Sequence, residues 1–182
     1  MNYGTEKWII EYAKGEPSKL ALTKTGWKVN IPPYPGAISF IRTVKQFDIG
    51  KKEVTFSATF NLTPDCAIDY KTEESNVCNV PASIRPILIR SMYGQFNRWW
   101  PLDKITIAPG TFSIKVPLQP SDWVSVYGKK GDTDKKTVEF FNKCKQEPIY
   151  LGVAIGGGCF YGHGVRTLSG SGSIELTKFS IA

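Results

Sequence analysis

The chain has 182 residues, 41% of them apolar and 21% charged, a balance that excludes a disordered polymer and fits one globular domain with a sizeable core. No window approaches the ~18 uninterrupted apolar residues of a membrane span. The formal charge of +7, from 23 Lys and Arg against 16 Asp and Glu, suits an acidic polymer or anionic surface. The lysines are nevertheless scattered, and the densest run, Lys129 to Lys145, is broken by Asp132, Asp134 and Glu139, as in a solvated face.

In chain order, Trp8-Ile9-Ile10-Glu11-Tyr12 reads as a short strand and residues 13–18 as a turn. Trp27 to Ile31 alternates apolar and polar residues, the mark of a half-buried strand, until Pro32, Pro33, Pro35 and Gly36 stop it. Ala37 to Val44 is the next strand. Glu53 to Leu62 is the cleanest: Val54, Phe56, Ala58, Phe60 and Leu62 share one face, with Thr55, Ser57, Thr59 and Asn61 opposite. Ile84 to Met92 follows, with Pro86 predicting an edge position or a bulge. Ile105 to Ile107 and Thr111 to Leu118 flank a Pro109-Gly110 turn. A helix is predicted near 134–146, capped by Thr133 or Asp134, with Val138, Phe141 and Cys144 near helical spacing and Pro148 beyond it. Ile149 to Ile155 suits a central strand. Ser173 to Ile181 closes the chain with Ile174, Leu176 and either Phe179 or Ile181 inward, depending on a bulge. About eight or nine short strands with one helix predict an all-β fold, a two-sheet antiparallel β-sandwich formed as a single domain over 1–182.

Cys66 and Cys78 bracket a polar loop, where a disulfide would constrain the unfolded chain by ~3 kcal/mol, and Cys144 with Cys159 is a second candidate pair. Four cysteines permit three pairings, and the alternative is four buried thiols. Disulfides would imply a secreted or periplasmic protein. Met1 runs into Asn2-Tyr3-Gly4 without the basic and apolar regions of a leader, so that reading requires a leader outside this sequence, and a cytoplasmic protein is the other possibility. No CxxC pair occurs and there is one histidine, so no metal is expected.

The segments Ile149-Tyr-Leu-Gly-Val-Ala-Ile-Gly-Gly-Gly158, Gly162-His-Gly-Val165 and Ser171-Gly-Ser-Ile-Glu-Leu-Thr-Lys-Phe-Ser-Ile181 resemble the end of a galactose-binding-like jelly roll, as found in carbohydrate-binding modules. The resemblance spans residues 149–181 and implies a jelly-roll sandwich with a carbohydrate ligand. Where that family's last strand often carries an Asp-Asn pair, Thr177-Lys178 stands here, so the resemblance does not extend to a structural calcium.

The segment Arg90 to Pro101 is the richest in ligand chemistry: Tyr93, Phe96, Trp99 and Trp100 interleave with Arg90, Gln95, Asn97 and Arg98. A sugar offers an apolar C–H face to an aromatic ring, and its hydroxyls need planar donors and acceptors. Trp99, Trp100 and Trp123 are therefore the predicted stacking platforms, with Arg90, Arg98, Asn97 and His163 as polar contacts, not necessarily in one site. The competing structural reading sends one of the adjacent Trp99 and Trp100 into the core and makes Trp123 a cover for the end of the sandwich. Aromatics with basic residues also serve single-stranded nucleic acid, but no RNP-like stretch or unbroken Lys/Arg stripe supports that partner.

His163 lies between Gly162 and Gly164 beside Tyr161, in a loop, without an acid nearby to orient a general base. Gly156-Gly-Gly158 lacks the Gly-Lys-Ser/Thr ending of a phosphate loop, no Ser sits in GxSxG, and no cofactor motif is present. Asp48, Glu53, Asp103 and Asp122 have no context that marks a catalytic pair. Asn61-Leu62-Thr63 matches a glycosylation sequon, followed by Pro64. The sequence thus points to a non-catalytic glycan-binding or surface-recognition module. One alternative is a lyase or hydrolase of acidic polysaccharide, with His163 and Tyr161 as base and acid and Arg98 on a uronate. Another is an assembly subunit, with its oligomeric state open.

Overall fold

A computed structural model describes residues 8–14, 19–34, 37–43, 53–70, 80–91, 93–146, 150–157 and 162–181, with only the backbone of residues 11–14. The strands are β1 (Trp8–Lys14), β2 (Ala21–Leu22), β3 (Trp27–Asn30), β4 (Ala37–Thr43), β5 (Glu53–Leu62), β6 (Ala67–Asp69), β7 (Ser83–Ile89), β8 (Arg98–Pro101), β9 (Ile105–Thr106), β10 (Gly110–Pro117) and β11 (Trp123–Ser125). The helix α1 (Lys135–Gln146) follows, then β12 (Tyr150–Gly156), β13 (Arg166–Ser169) and β14 (Gly172–Ile181).

The larger sheet has the order β1-β4-β12-β7-β8-β11, with β9 beside β7; the smaller has β10-β5-β14-β3-β2, and β13 pairs with β6. Among the described residues every strand pair is antiparallel. The two sheets share one core: Phe56, Phe60, Ile174 and Leu176 from the smaller meet Ile41, Leu88, Leu151 and Val153 from the larger. This is a two-sheet antiparallel β-sandwich with one α-helix among the described residues.

Local patterning explains most elements. In β5, alternation buries Val54, Phe56, Ala58 and Phe60, leaving Thr59 half-buried and Asn61 exposed on the other face. In β14 a bulge between Leu176 and Lys178 shifts the parity and turns both Phe179, buried, and Ile181, partly buried, toward the core. The helix starts where its cap predicts: Thr137 N–H donates to Asp134 Oδ1 at 2.8 Å, while Asp134 N–H donates to Thr137 Oγ1 at 3.0 Å. Lys129 and that backbone bond hold the Asp134 carboxyl down at about 2.

Two expectations are corrected. Pro86 does not mark an edge or a bulge: β7 lies inside the larger sheet, with Pro86 opposite Val153 of β12. Its other neighbours are β9 at Ser83 and Ile84 and β8 at Leu88 and Ile89, so Pro86 falls in the break between them, where no ladder partner needs its missing N–H. Nor does the predicted Cys66–Cys78 disulfide account for Cys66, which is a free thiol. Cys144 is fully buried on α1 in the common core, with its Sγ 3.5 Å from the Phe96 carbonyl oxygen, and packs as a small apolar group. Cys78 and Cys159 lie outside the described residues.

Gly152 shows how closely the central strands approach. A Cβ there would fall 2.5 Å from Ile41 O and 2.8 Å from Arg42 Cβ. Gly152→Ala is therefore expected to destabilise the fold by about 1–3 kcal/mol, as overpacking does. Thermal denaturation checks this, and an unchanged midpoint would contradict it.

Candidate ligand-binding groove

The aromatic platforms expected from sequence do not face solvent. Trp99 and Trp123 are both 0% exposed. Trp99 donates Nε1–H to Phe96 O at 2.9 Å and sits edge-on to Phe141 with ring centroids 5.5 Å apart. Trp123 donates to Pro117 O at 2.8 Å and lies 5.9 Å from the same ring. Trp100 alternates to the opposite face of the larger sheet, where it is buried with Phe40, Ile87, Ile89, Val124 and Ala154. Stacking needs an open ring face, so these three indoles serve packing and not ligand contact.

The predicted polar contacts are also divided. Arg90 is exposed, and Asn97 and Arg98 are half-buried. Asn97 Nδ2 is committed to Tyr93 O at 2.6 Å. Arg98 stands opposite Ile89, whereas the His163 loop is tied to the other end of the same sheet by Gly164 N–H donating to Ile155 O at 2.9 Å. Ile155 faces Ile84, five residues along β7 from Ile89, roughly 16 Å. Arg98 and the exposed His163 therefore stand at opposite ends of the larger sheet and do not converge on one sugar ring, and Tyr161 lies outside the described residues.

The most exposed rings among the described residues are tyrosines: Tyr93 at 84%, Tyr127 at 70% and Tyr34 at 64%. Tyr93 and Tyr127 each precede a glycine with positive φ, 91° at Gly94 and 74° at Gly128, and so stand at turn tips. Those turns belong to the Arg98 end of the larger sheet, through Arg90 N–H to Asn97 O at 2.8 Å and Val126 N–H to Arg98 O at 3.2 Å.

At the His163 end, residues 31–34 and Ile38 lie beside 165–172. Ile31 N–H donates to Gly172 O at 2.8 Å, Thr167 N–H to Pro32 O at 2.9 Å, and Ile38 and Val165 exchange bonds of 3.1 Å. Next to it, at the end of the smaller sheet, opens a groove of about 690 Å³. Asn30, Asn61 and Ser173 line it together with Lys28 and Thr63, while Ile31, Phe60 and Pro109 supply apolar wall. Register explains the polar side. Ser173 of β14 stands between Asn30 of β3 and Asn61 of β5, so two primary amides flank one hydroxyl in a single cross-strand row. The next row places Glu175 between Lys28 and Thr59, with Thr111 beyond. Neighbouring side chains in such rows lie about 5 Å apart. Phe112, 39% exposed, packs against the wall residue Phe60 with ring centroids 6.0 Å apart.

Glu175 is held as a carboxylate. Thr23 Oγ1 and Thr25 Oγ1 both donate to its Oε1, the latter at 2.5 Å. These bonds, with the nearby Lys28 charge, keep its pKa below the ordinary 4.5 against a smaller opposing effect of burial. A lowered pKa means stability present above the unfolded value and lost as pH falls through the folded one. The thermal midpoint is thus expected to fall more steeply below about pH 4.5 in the wild type than in Glu175→Gln. Parallel curves for the two proteins would count against this hub.

The sequence showed Thr59 and Asn61 as the solvent side of β5 but offered no signal that Asn30 and Ser173 stand beside them. Among the described residues no group of three or more His, Cys, Asp or Glu gathers in a metal-binding arrangement, and no described helix is long and apolar enough to cross a membrane.

No protein-family model matches the chain, and no curated protein matches it. Among solved structures it is similar to the "Family 11 Carbohydrate-Binding Module of cellulosomal cellulase Lic26A-Cel5E of Clostridium thermocellum", with 14% identity and a TM-score of 0.44, over 100% of this chain and 91% of that one.

Proposed function

We propose that this protein is a non-catalytic glycan-binding module that holds its ligand in the groove at the end of the smaller sheet. The observation that carries the reading is the Asn30–Ser173–Asn61 row. Each of the two exposed amides offers two donors and an acceptor, which suits the hydroxyl pairs of a sugar ring, and the nearly covered Ser173 spaces them. The exposed Pro109 and the partly exposed Phe112 near it bring the apolar surface that a C–H face requires, with Phe60 buried behind them. The adjacent carboxylate, Glu175, stays ionised through its two threonine donors, which suits accepting hydrogen bonds from ligand hydroxyls and not delivering a proton.

A glycan array with neutral and acidic polysaccharides tests the reading, run on the wild type and on Asn30→Ala/Asn61→Ala. Specific binding that the double variant loses is the expected result. No binding by the wild type, or equal binding by both proteins, would sink it.

A further inference from the structure

We infer that Tyr34 is a sugar-stacking platform beside the groove, so that the ligand is an oligosaccharide gripped at two points; this rests on the glycan-binding reading. Tyr34 is 64% exposed, yet its ring is held from behind. The Arg166 guanidinium carbon lies 4.6 Å from the ring centroid, and Arg166 Nε and Nη2 both reach Asp69 Oδ2, at 2.8 and 2.7 Å. Asp69 itself is only 9% exposed, so the support is anchored in the fold. The backbone is fixed as well, with Tyr34 N–H donating to Thr167 O at 3.0 Å and Pro33 bridged to Thr167.

The ring therefore has one face occupied and the other open, and much of the entropy of immobilising it is already lost before ligand arrives. A cation on the open face would meet the Arg166 charge across the ring, whereas the weakly polarised C–H face of a sugar gains from the ring quadrupole. Tyr34 lies four residues from Asn30 along a chain pinned to segment 165–172. Their Cα atoms are thus at most about 14 Å apart, a span within reach of a short oligosaccharide.

The test is calorimetric titration with glucose, xylose, mannose and galacturonic acid, each as monosaccharide and as 1,4-linked hexasaccharide. The wild type is expected to bind at least one hexasaccharide about tenfold or more tightly than its monosaccharide, and Tyr34→Ala to weaken that binding about tenfold. Tyr93→Ala, which removes an exposed ring at the far end, serves as control and leaves it unchanged. Thermal midpoints equal to the wild type show that both variants fold. Hexasaccharide binding that depends on Asn30 and Asn61 but not on Tyr34 would overturn this inference and leave the groove reading intact. Equal affinity for monomer and hexamer would also overturn it, and no saccharide binding at all would remove both readings.

Discussion

Trp123→Ala is expected to destabilise the fold by about 3–5 kcal/mol, the range for deleting a large buried aromatic side chain. The indole is 0% exposed and meets Phe141 from β11 while Trp99 meets the same ring from β8. The two tryptophans form the socket into which α1 inserts Phe141. Removing one leaves a cavity that the second cannot fill without abandoning its own hydrogen bond to Phe96 O. The substitution also strands the Pro117 carbonyl that Trp123 satisfies. Urea denaturation with an unchanged m-value measures the loss directly. A change below about 1 kcal/mol would mean that the socket is not part of the core.

A different signature is expected at the groove. Each hydrogen bond from Asn30 or Asn61 to a bound sugar contributes on the order of 0.5–1.5 kcal/mol. Losing both in Asn30→Ala/Asn61→Ala therefore corresponds to a loss of affinity between about fivefold and more than a hundredfold. Both side chains are exposed and no hydrogen bond within the fold is described for either, so the thermal midpoint should shift by less than about 2 °C. Titration with the best glycan from the array, beside a denaturation scan of the same protein, separates the two effects. A large fall in midpoint would show that the row is structural, and full affinity at an unchanged midpoint would remove it from the site. Trp123 and the asparagine pair thus make opposite demands: stability depends on the first, binding on the second.

The strands with strong period-two patterning were legible because alternation is a property of a single extended segment. β5 spans the residues its alternation marks, and α1 begins one residue after the Asp134 cap. The short strands β6, β8, β11 and β13 were not legible, since three or four residues hold too little pattern to stand apart from a loop. Aromatic content drew attention to Trp99, Trp100 and Trp123, although composition says nothing about exposure. Parity alone separates Trp99 from Trp100; that neither face of the larger sheet is open at that point is a fact of packing.

The amino-acid sequence by itself determined an antiparallel all-β chain with one capped helix, a Phe- and Ile-rich inner face, and a hydroxyl-rich outer face on β5. Those features follow from backbone geometry and side-chain polarity within a few residues. Only the tertiary structure decided that Asn30, Asn61 and Ser173 stand in one row, that Arg98 and His163 occupy opposite ends, and that Arg166 backs Tyr34. Each depends on strand register or loop docking between segments distant in the chain, with residue 61 separated from residue 173 by more than half its length. Pairing across such distances is fixed by the combined fit of two faces in the core, and no local pattern encodes it.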